Sequence, residues 1–113
     1  MLDISLSFPT PDGSQMIAIE DERTSFGRGS EATHRFDDNG LSRLHSTVYR
    51  EGDRIWVVDE NSTNGTFVNG RRIDSPTKID HGALIGLGPI TLSFIVMRAQ
   101  ASTLPIVPRQ AAE

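Results

Sequence analysis

The feature that most restricts the fold of this chain is the repeated alternation of apolar and polar residues in short runs. The first run alternates Leu2, Ile4, Leu6 and Phe8 with aspartate and serine. Alternation with a period of two is typical of a strand that is buried on one face. Apolar residues at helical spacing do not persist over a window of about 11 residues anywhere in the chain. We therefore expect an all-β protein with no significant helix.

Turn-forming residues divide the chain into roughly ten short strands. Pro9 and Pro11 end the first strand, and Asn69-Gly70 fits a two-residue hairpin turn. The expected strands cover residues 2–8, 16–20, 24–26, 35–36, 46–50, 54–59, 66–68, 71–73, 83–87 and 90–98. Short strands separated by turns at this spacing are typical of an antiparallel β-sandwich.

The length of 113 residues fits a single domain. We assign residues 1–98 to the sandwich and residues 99–113, which contain Pro105 and Pro108, to a flexible tail or linker. The chain has 0 cysteines, which excludes disulfides and fits a reducing, cytoplasmic location. No apolar run approaches the length of a membrane span, and the N-terminus does not have the pattern of a signal peptide.

The charge balance argues against two classes of partner. The net charge is -4, whereas proteins that bind nucleic acids or anionic membranes usually carry a basic excess. We therefore expect neither a nucleic acid nor a membrane as partner. The type of basic residue is more informative, because Lys78 is the only lysine among 11 basic residues. The planar guanidinium of arginine suits phosphate and carboxylate groups.

Catalytic patterns are missing from the sequence. His34, His45 and His81 lack the spacing of a metal site, and no G-x-S-x-G motif is present. The segment from Gly27 to Gly29 resembles part of a phosphate-binding loop, but it lacks the lysine and the following helix of a P-loop. We expect no enzyme, no metal and no cofactor.

Three polar clusters fall in predicted loops: Gly27-Arg28, residues 42–45 and residues 61–66. If these loops converge, they place guanidinium groups, hydroxyl groups and an amide around one position. A phosphorylated side chain carries about -1.5 to -2 charges and three acceptor oxygens, which arginine and hydroxyl groups can satisfy. Asparagine can donate to a peptide carbonyl and accept from a peptide N–H. The clusters therefore suit a phosphorylated, extended peptide.

The order of these residues resembles that of the forkhead-associated (FHA) domain. The matching segments are Gly27-Arg28, Ser42-Arg43-Leu44-His45 and Ser62-Thr63-Asn64-Gly65-Thr66-Phe67-Val68-Asn69-Gly70, within a resemblance that covers residues 2 to about 98. Each segment is common, but the ordered set is specific. The resemblance implies an 11-strand β-sandwich that binds phosphothreonine peptides through its apical loops. The implied partner is a protein that a serine/threonine kinase has phosphorylated.

The resemblance also implies a role for each matching residue. Arg28 and the Ser42 hydroxyl would contact the phosphate, Arg43 would reach the phosphate or the flanking peptide, and Thr63 would support the loop beside it. Asn64 would bind the peptide main chain. His45, Gly27 and Gly65 would build the loops.

One feature weighs against these roles: the carboxylates of Asp37, Asp38 and Glu60 could compete for the arginines. The chain also has His81-Gly82-Ala83 where family members often carry Gly-Asp. This turn lies away from the phosphate loops, so the departure concerns local loop structure and not binding. The alternative function is a phosphate-independent interaction or oligomerisation domain that uses a sheet face. The sequence does not define the oligomeric state.

Overall fold

A computed structural model describes residues 2–10 and 12–98, and these residues contain strands and no helix. The predicted tail, residues 99–113, lies outside the described residues. The strands are β1 (Leu2–Thr10), β2 (Gly13–Ala18), β3 (Arg23–Gly27), β4 (His34–Arg35), β5 (Ser46–Glu51), β6 (Arg54–Asp59), β7 (Thr66–Val68), β8 (Arg71–Arg72), β9 (Thr77–Ile79), β10 (Leu84–Leu87) and β11 (Ile90–Arg98). The prediction of an all-β sandwich of about 11 short strands is confirmed.

The strands form two sheets. One sheet has six strands in the order β2-β1-β11-β10-β7-β8, and the other has five in the order β4-β3-β5-β6-β9. Every pairing between neighbouring strands in the described part of the chain is antiparallel except that of the two-residue β4, which runs parallel to β3. The sandwich is therefore antiparallel, as predicted, apart from this one short pairing.

The core lies between the two sheets and comes from the inward positions of the alternating strands. Leu6 and Phe94 of the six-stranded sheet and Phe26 and Val57 of the five-stranded sheet are all at most 1% exposed. Phe8 and Phe36 close one end of this core with an edge-to-face ring contact at 5.0 Å. The apolar burial of these residues is the main stabilising contribution to the sandwich.

Three strands differ most from the sequence prediction. β2 covers Gly13–Ala18 instead of residues 16–20, because its pairing with β1 begins at Thr10–Gly13 and ends at Ser5–Ala18. β1 continues through Pro9 to Thr10. Beyond Ser7 it pairs only with β2, so no strand on its other side needs the backbone N–H that Pro9 lacks. β9 was not predicted. It has only three residues, of which Ile79 alone is buried, and it forms by pairing with β6.

The path of the strands brings three connections to one end of the sandwich. β3 ends where β5 begins, since Phe26 pairs with Ser46, and β6 ends beside the same point, since Asp59 also pairs with Ser46. The loops β3–β4, β4–β5 and β6–β7 therefore share one end, which we call the apical pole. The β5–β6 turn and the β2–β3 connection lie at the opposite, basal pole.

A candidate anion-binding site at the apical pole

The first two loops are held together by their backbones. Arg28 N donates to Ser42 O and Gly29 N donates to Arg43 O, both at 2.9 Å. This close approach requires glycine at position 27, because a Cβ there would lie 2.1 Å from Arg43 O. Gly27 is therefore fixed by the space available rather than by its backbone angles.

Arg28 is oriented by a bond that uses only one of its three guanidinium nitrogens. Its Nε donates to Leu41 O at 2.9 Å, and Leu41 is itself 2% exposed and anchors the loop. Within residues 2–10 and 12–98, neither Nη nitrogen of Arg28 forms a hydrogen bond or an ion pair. The half-buried side chain thus presents two unused NH₂ groups at the apical pole.

The second and third loops meet through side chains. Thr63 N donates to Ser42 Oγ at 2.9 Å, and Asn64 Nδ2 donates to Gly40 O at 2.8 Å. Ser42 therefore keeps its own O–H as a donor, and Asn64 keeps one N–H and its Oδ1. The structure brings Arg28, Ser42, Thr63 and Asn64 together around the segment 40–42.

His45 lies beneath the loops and is fully buried. Its Nδ1 accepts from Ser42 N at 3.1 Å, so its Nε2 carries the proton and donates to Gly65 O at 2.8 Å. Both ring nitrogens are occupied by loop backbone, which leaves no ring atom to contact a ligand. Gly65, with φ of 86°, adopts a conformation that favours glycine.

Asp59 is a site residue that the sequence analysis did not identify. Its carboxylate accepts from Ser62 Oγ at 2.5 Å, Thr66 Oγ1 at 2.7 Å and Ser62 N at 3.1 Å. Partial burial would raise the pKa of Asp59, but these hydrogen bonds outweigh burial and hold the pKa below its ordinary value. An aspartate three residues before a serine was the signal available, because aspartate often bonds nearby backbone N–H groups.

We expect Asp59→Asn to destabilise the domain by about 1 kcal/mol at neutral pH, because water partly screens the lost charge-assisted bonds. The lowered pKa means that the ionised carboxylate stabilises the fold above its unfolded-state pKa of about 4 and loses this effect as the pH falls further. The measurement is urea unfolding of wild type and variant at several pH values. The difference should shrink below about pH 4. Asp53→Asn, in the basal β5–β6 turn, is the matched control and should change little; equal effects of both variants would contradict this role.

The remaining charged residues near the loops do not compete for Arg28. Asp38 Oδ1 accepts from Gly40 N at 2.7 Å, and Glu60 Oε2 accepts from Thr47 Oγ1 at 2.5 Å. Glu31 and Asp37 form no ion pair within the described part of the chain. The Arg43 side chain is exposed and likewise has no hydrogen-bond or ion-pair partner among the described residues.

A two-sheet sandwich that gathers arginine, hydroxyl and amide groups on its apical loops has the donor groups that an anionic peptide requires. The chain belongs to the FHA family: the FHA domain model matches residues 24–88. FHA domains are interaction modules that bind phosphothreonine peptides.

Individual relatives agree with this membership. The chain is 33% identical to the oxoglutarate dehydrogenase inhibitor of Corynebacterium jeikeium, over 75% of this chain and 58% of that protein. It is 32% identical to the glycogen accumulation regulator GarA of Mycolicibacterium smegmatis, over 75% of this chain and 53% of that protein. A structure from a structural and functional analysis of phosphothreonine-dependent FHA domain interactions is 28% identical, with a TM-score of 0.76 over 85% of this chain and 97% of that one.

Two further findings concern the extent of the match and the residues described. The matched region covers only a little over half the length of the two curated relatives. No helix among residues 2–10 and 12–98 could span a membrane, and no histidine and carboxylate side chains in the described part are grouped to hold a metal ion.

Proposed function

We propose that this chain is a phosphothreonine-dependent interaction module that binds a phosphorylated segment of a partner protein through its apical loops. A serine/threonine kinase acting on the partner would create the ligand. The module itself catalyses no reaction, needs no cofactor and acts in the cytoplasm. The observation that carries this proposal is the pair of unused Arg28 NH₂ groups, held beside Ser42 and Asn64 with no carboxylate bound to them.

The phosphate would bind between Arg28 and Ser42. Arg28 supplies charge-assisted, bidentate donors, and the Ser42 hydroxyl supplies one more donor because its O–H is not used in the bond that it accepts from Thr63 N. The exposed Arg43 would add positive charge beside this position. Thr63 supports the arrangement through its backbone bond to Ser42.

The main chain of the peptide would bind to Asn64. Its bond to Gly40 O fixes the amide plane and leaves one N–H and the Oδ1 of this exposed side chain free for a ligand. Each residue of an extended peptide has one carbonyl and one N–H. Asn64 can therefore form both hydrogen bonds whatever the peptide sequence is. Asn64 therefore supplies affinity for the backbone, whereas Arg28 and Ser42 supply the requirement for phosphate.

The experiment that tests this function is calorimetry with a library of threonine-phosphorylated peptides, their unphosphorylated forms and their phosphoserine counterparts. The wild-type domain should bind phosphothreonine peptides most tightly, phosphoserine peptides less tightly and unphosphorylated peptides weakest. Ser42→Ala should lower phosphopeptide affinity about tenfold, the effect of losing one hydrogen bond to a charged group. Asn64→Ala should weaken binding of phosphothreonine and phosphoserine peptides by the same factor, because it touches only the main chain. Equal binding of phosphorylated and unphosphorylated peptides would contradict the proposal.

A second candidate function is phosphate-independent self-association through the outer face of the six-stranded sheet. Met16, Ser7, Ser93 and Leu84 lie in one row across four strands of this face. Met16 is 56% exposed and Leu84 is 48% exposed, so this row leaves two large apolar side chains in water. A dimer in analytical ultracentrifugation without peptide, abolished by Leu84→Glu, would support this candidate.

A further inference from the structure

Arg72 lies beside the loop that carries Asn64. It stands on β8, the edge strand of the six-stranded sheet, directly opposite Phe67 of β7. A Cβ built on Gly65 would lie 2.7 Å from Arg72 Nε and 3.0 Å from Arg72 Cζ. The guanidinium of Arg72 therefore lies against Gly65, the residue after Asn64.

The charge of Arg72 is not neutralised within the protein. Its side chain is exposed and forms no hydrogen bond or ion pair with any described residue. Two carboxylates, Asp59 and Asp74, line the same cavity of about 350 Å³ as Arg72. Asp59 is occupied by Ser62 and Thr66, and neither carboxylate lies within the 4.0 Å of an ion pair with Arg72. The unpaired guanidinium is therefore available to a ligand that approaches over Gly65.

We propose that Arg72 is a specificity-determining residue that selects an acidic side chain in the bound phosphopeptide. This inference rests on the proposed function, in which Asn64 holds the peptide main chain. An extended peptide that runs from Arg28 past Asn64 continues over Gly65. One of its side chains then lies against Arg72. Aspartate and glutamate match the planar guanidinium, whereas lysine or arginine at that position is repelled.

The test uses phosphothreonine peptides in which each position flanking the phosphothreonine is in turn glutamate, glutamine or lysine. At one position, the wild type should bind the glutamate peptide about three- to fivefold more tightly than the glutamine peptide, as expected for an exposed charge pair. Arg72→Gln should remove this preference while retaining affinity for the glutamine peptide. Arg72→Glu should reverse it in favour of lysine at the same position.

Arg71→Gln is the matched control, because Arg71 carries the same charge one residue earlier on β8 and its side chain projects to the opposite face of the strand. It should leave the glutamate preference intact. A glutamate preference that persists in Arg72→Gln, or that Arg71→Gln removes equally, would overturn the inference. A wild type that binds phosphopeptides without any acidic preference would also overturn it while leaving the proposed function standing. Absence of phosphopeptide binding altogether would end both.

Discussion

Arg28→Ala should lower the affinity for a phosphothreonine peptide about 100-fold, equivalent to about 3 kcal/mol, while the domain remains folded. The loss is large because Arg28 is half-buried and supplies both unused NH₂ groups of the proposed phosphate site. The variant also loses the bond from Nε to Leu41 O, so unfolding should become easier by about 1 kcal/mol. Calorimetry measures the affinity, and urea unfolding shows that the fold survives.

Arg28→Lys separates the shape of the group from its charge. A lysine keeps the positive charge but cannot both donate to Leu41 O through Nε and present two parallel NH₂ groups, so most of the affinity should still be lost. Arg54→Ala is the matched control, since Arg54 is exposed at the start of β6 at the basal pole. An Arg28→Ala variant that binds like the wild type would show that the phosphate binds elsewhere.

The dependence of binding on pH and salt follows from the same contact. The second pKa of a phosphothreonine is near 6, so the dianion gives way to the monoanion below that pH and the attraction to Arg28 weakens. The attraction between the phosphate and the exposed Arg43 should decrease at high salt, because dissolved ions screen exposed charges. The attraction to the half-buried Arg28 should decrease less.

The sequence predicted best those strands in which apolar and polar residues alternate, because burial of the apolar side is what stabilises them. β6 and β11 place large apolar residues on the core side at every second position, and their bounds follow from that pattern alone. β9 could not be predicted in this way, since a single buried residue, Ile79, carries no periodicity. Its existence depends on β6, whose unpaired edge supplies the hydrogen bonds. The parallel pairing of β4 also depends on tertiary contacts, because two residues specify no direction.

The site was predicted from the residue types and their order, but not from the contacts that assemble it. The roles expected for Arg28, Ser42 and Asn64 need the three loops to meet. Arg28 and Asn64 are held by hydrogen bonds to the backbone carbonyl groups of Leu41 and Gly40. Every residue has such a carbonyl, so the sequence does not show which ones accept these bonds. Asp59 was not predicted for a related reason. It accepts hydrogen bonds from Ser62 and Thr66, and these contacts exist only in the folded loop.

The geometry of the site depends most strongly on the contact between Gly27 and the segment 43–44. We expect Gly27→Ala to destabilise the domain by about 3 kcal/mol and to abolish measurable phosphopeptide binding, although the added methyl group touches no ligand. The new Cβ would lie 2.1 Å from Arg43 O, 2.7 Å from Arg43 C and 3.0 Å from Leu44 Cα. These are backbone atoms, so no side-chain rotation relieves the overlap and the two segments must separate. Urea unfolding and calorimetry measure the two effects.

Separation of the segments would break the bonds from Arg28 N to Ser42 O and from Gly29 N to Arg43 O, and it would carry Arg28 away from Ser42. Gly52→Ala is the matched control. Gly52 lies in the basal β5–β6 turn with φ of 63° and open space around it, so its variant should cost about 1 kcal/mol in backbone strain and leave binding unchanged. A Gly27→Ala variant as stable as Gly52→Ala that still binds phosphopeptide would mean that the apical loops tolerate separation, and the affinity would then not depend on the close approach of residues 27 and 43.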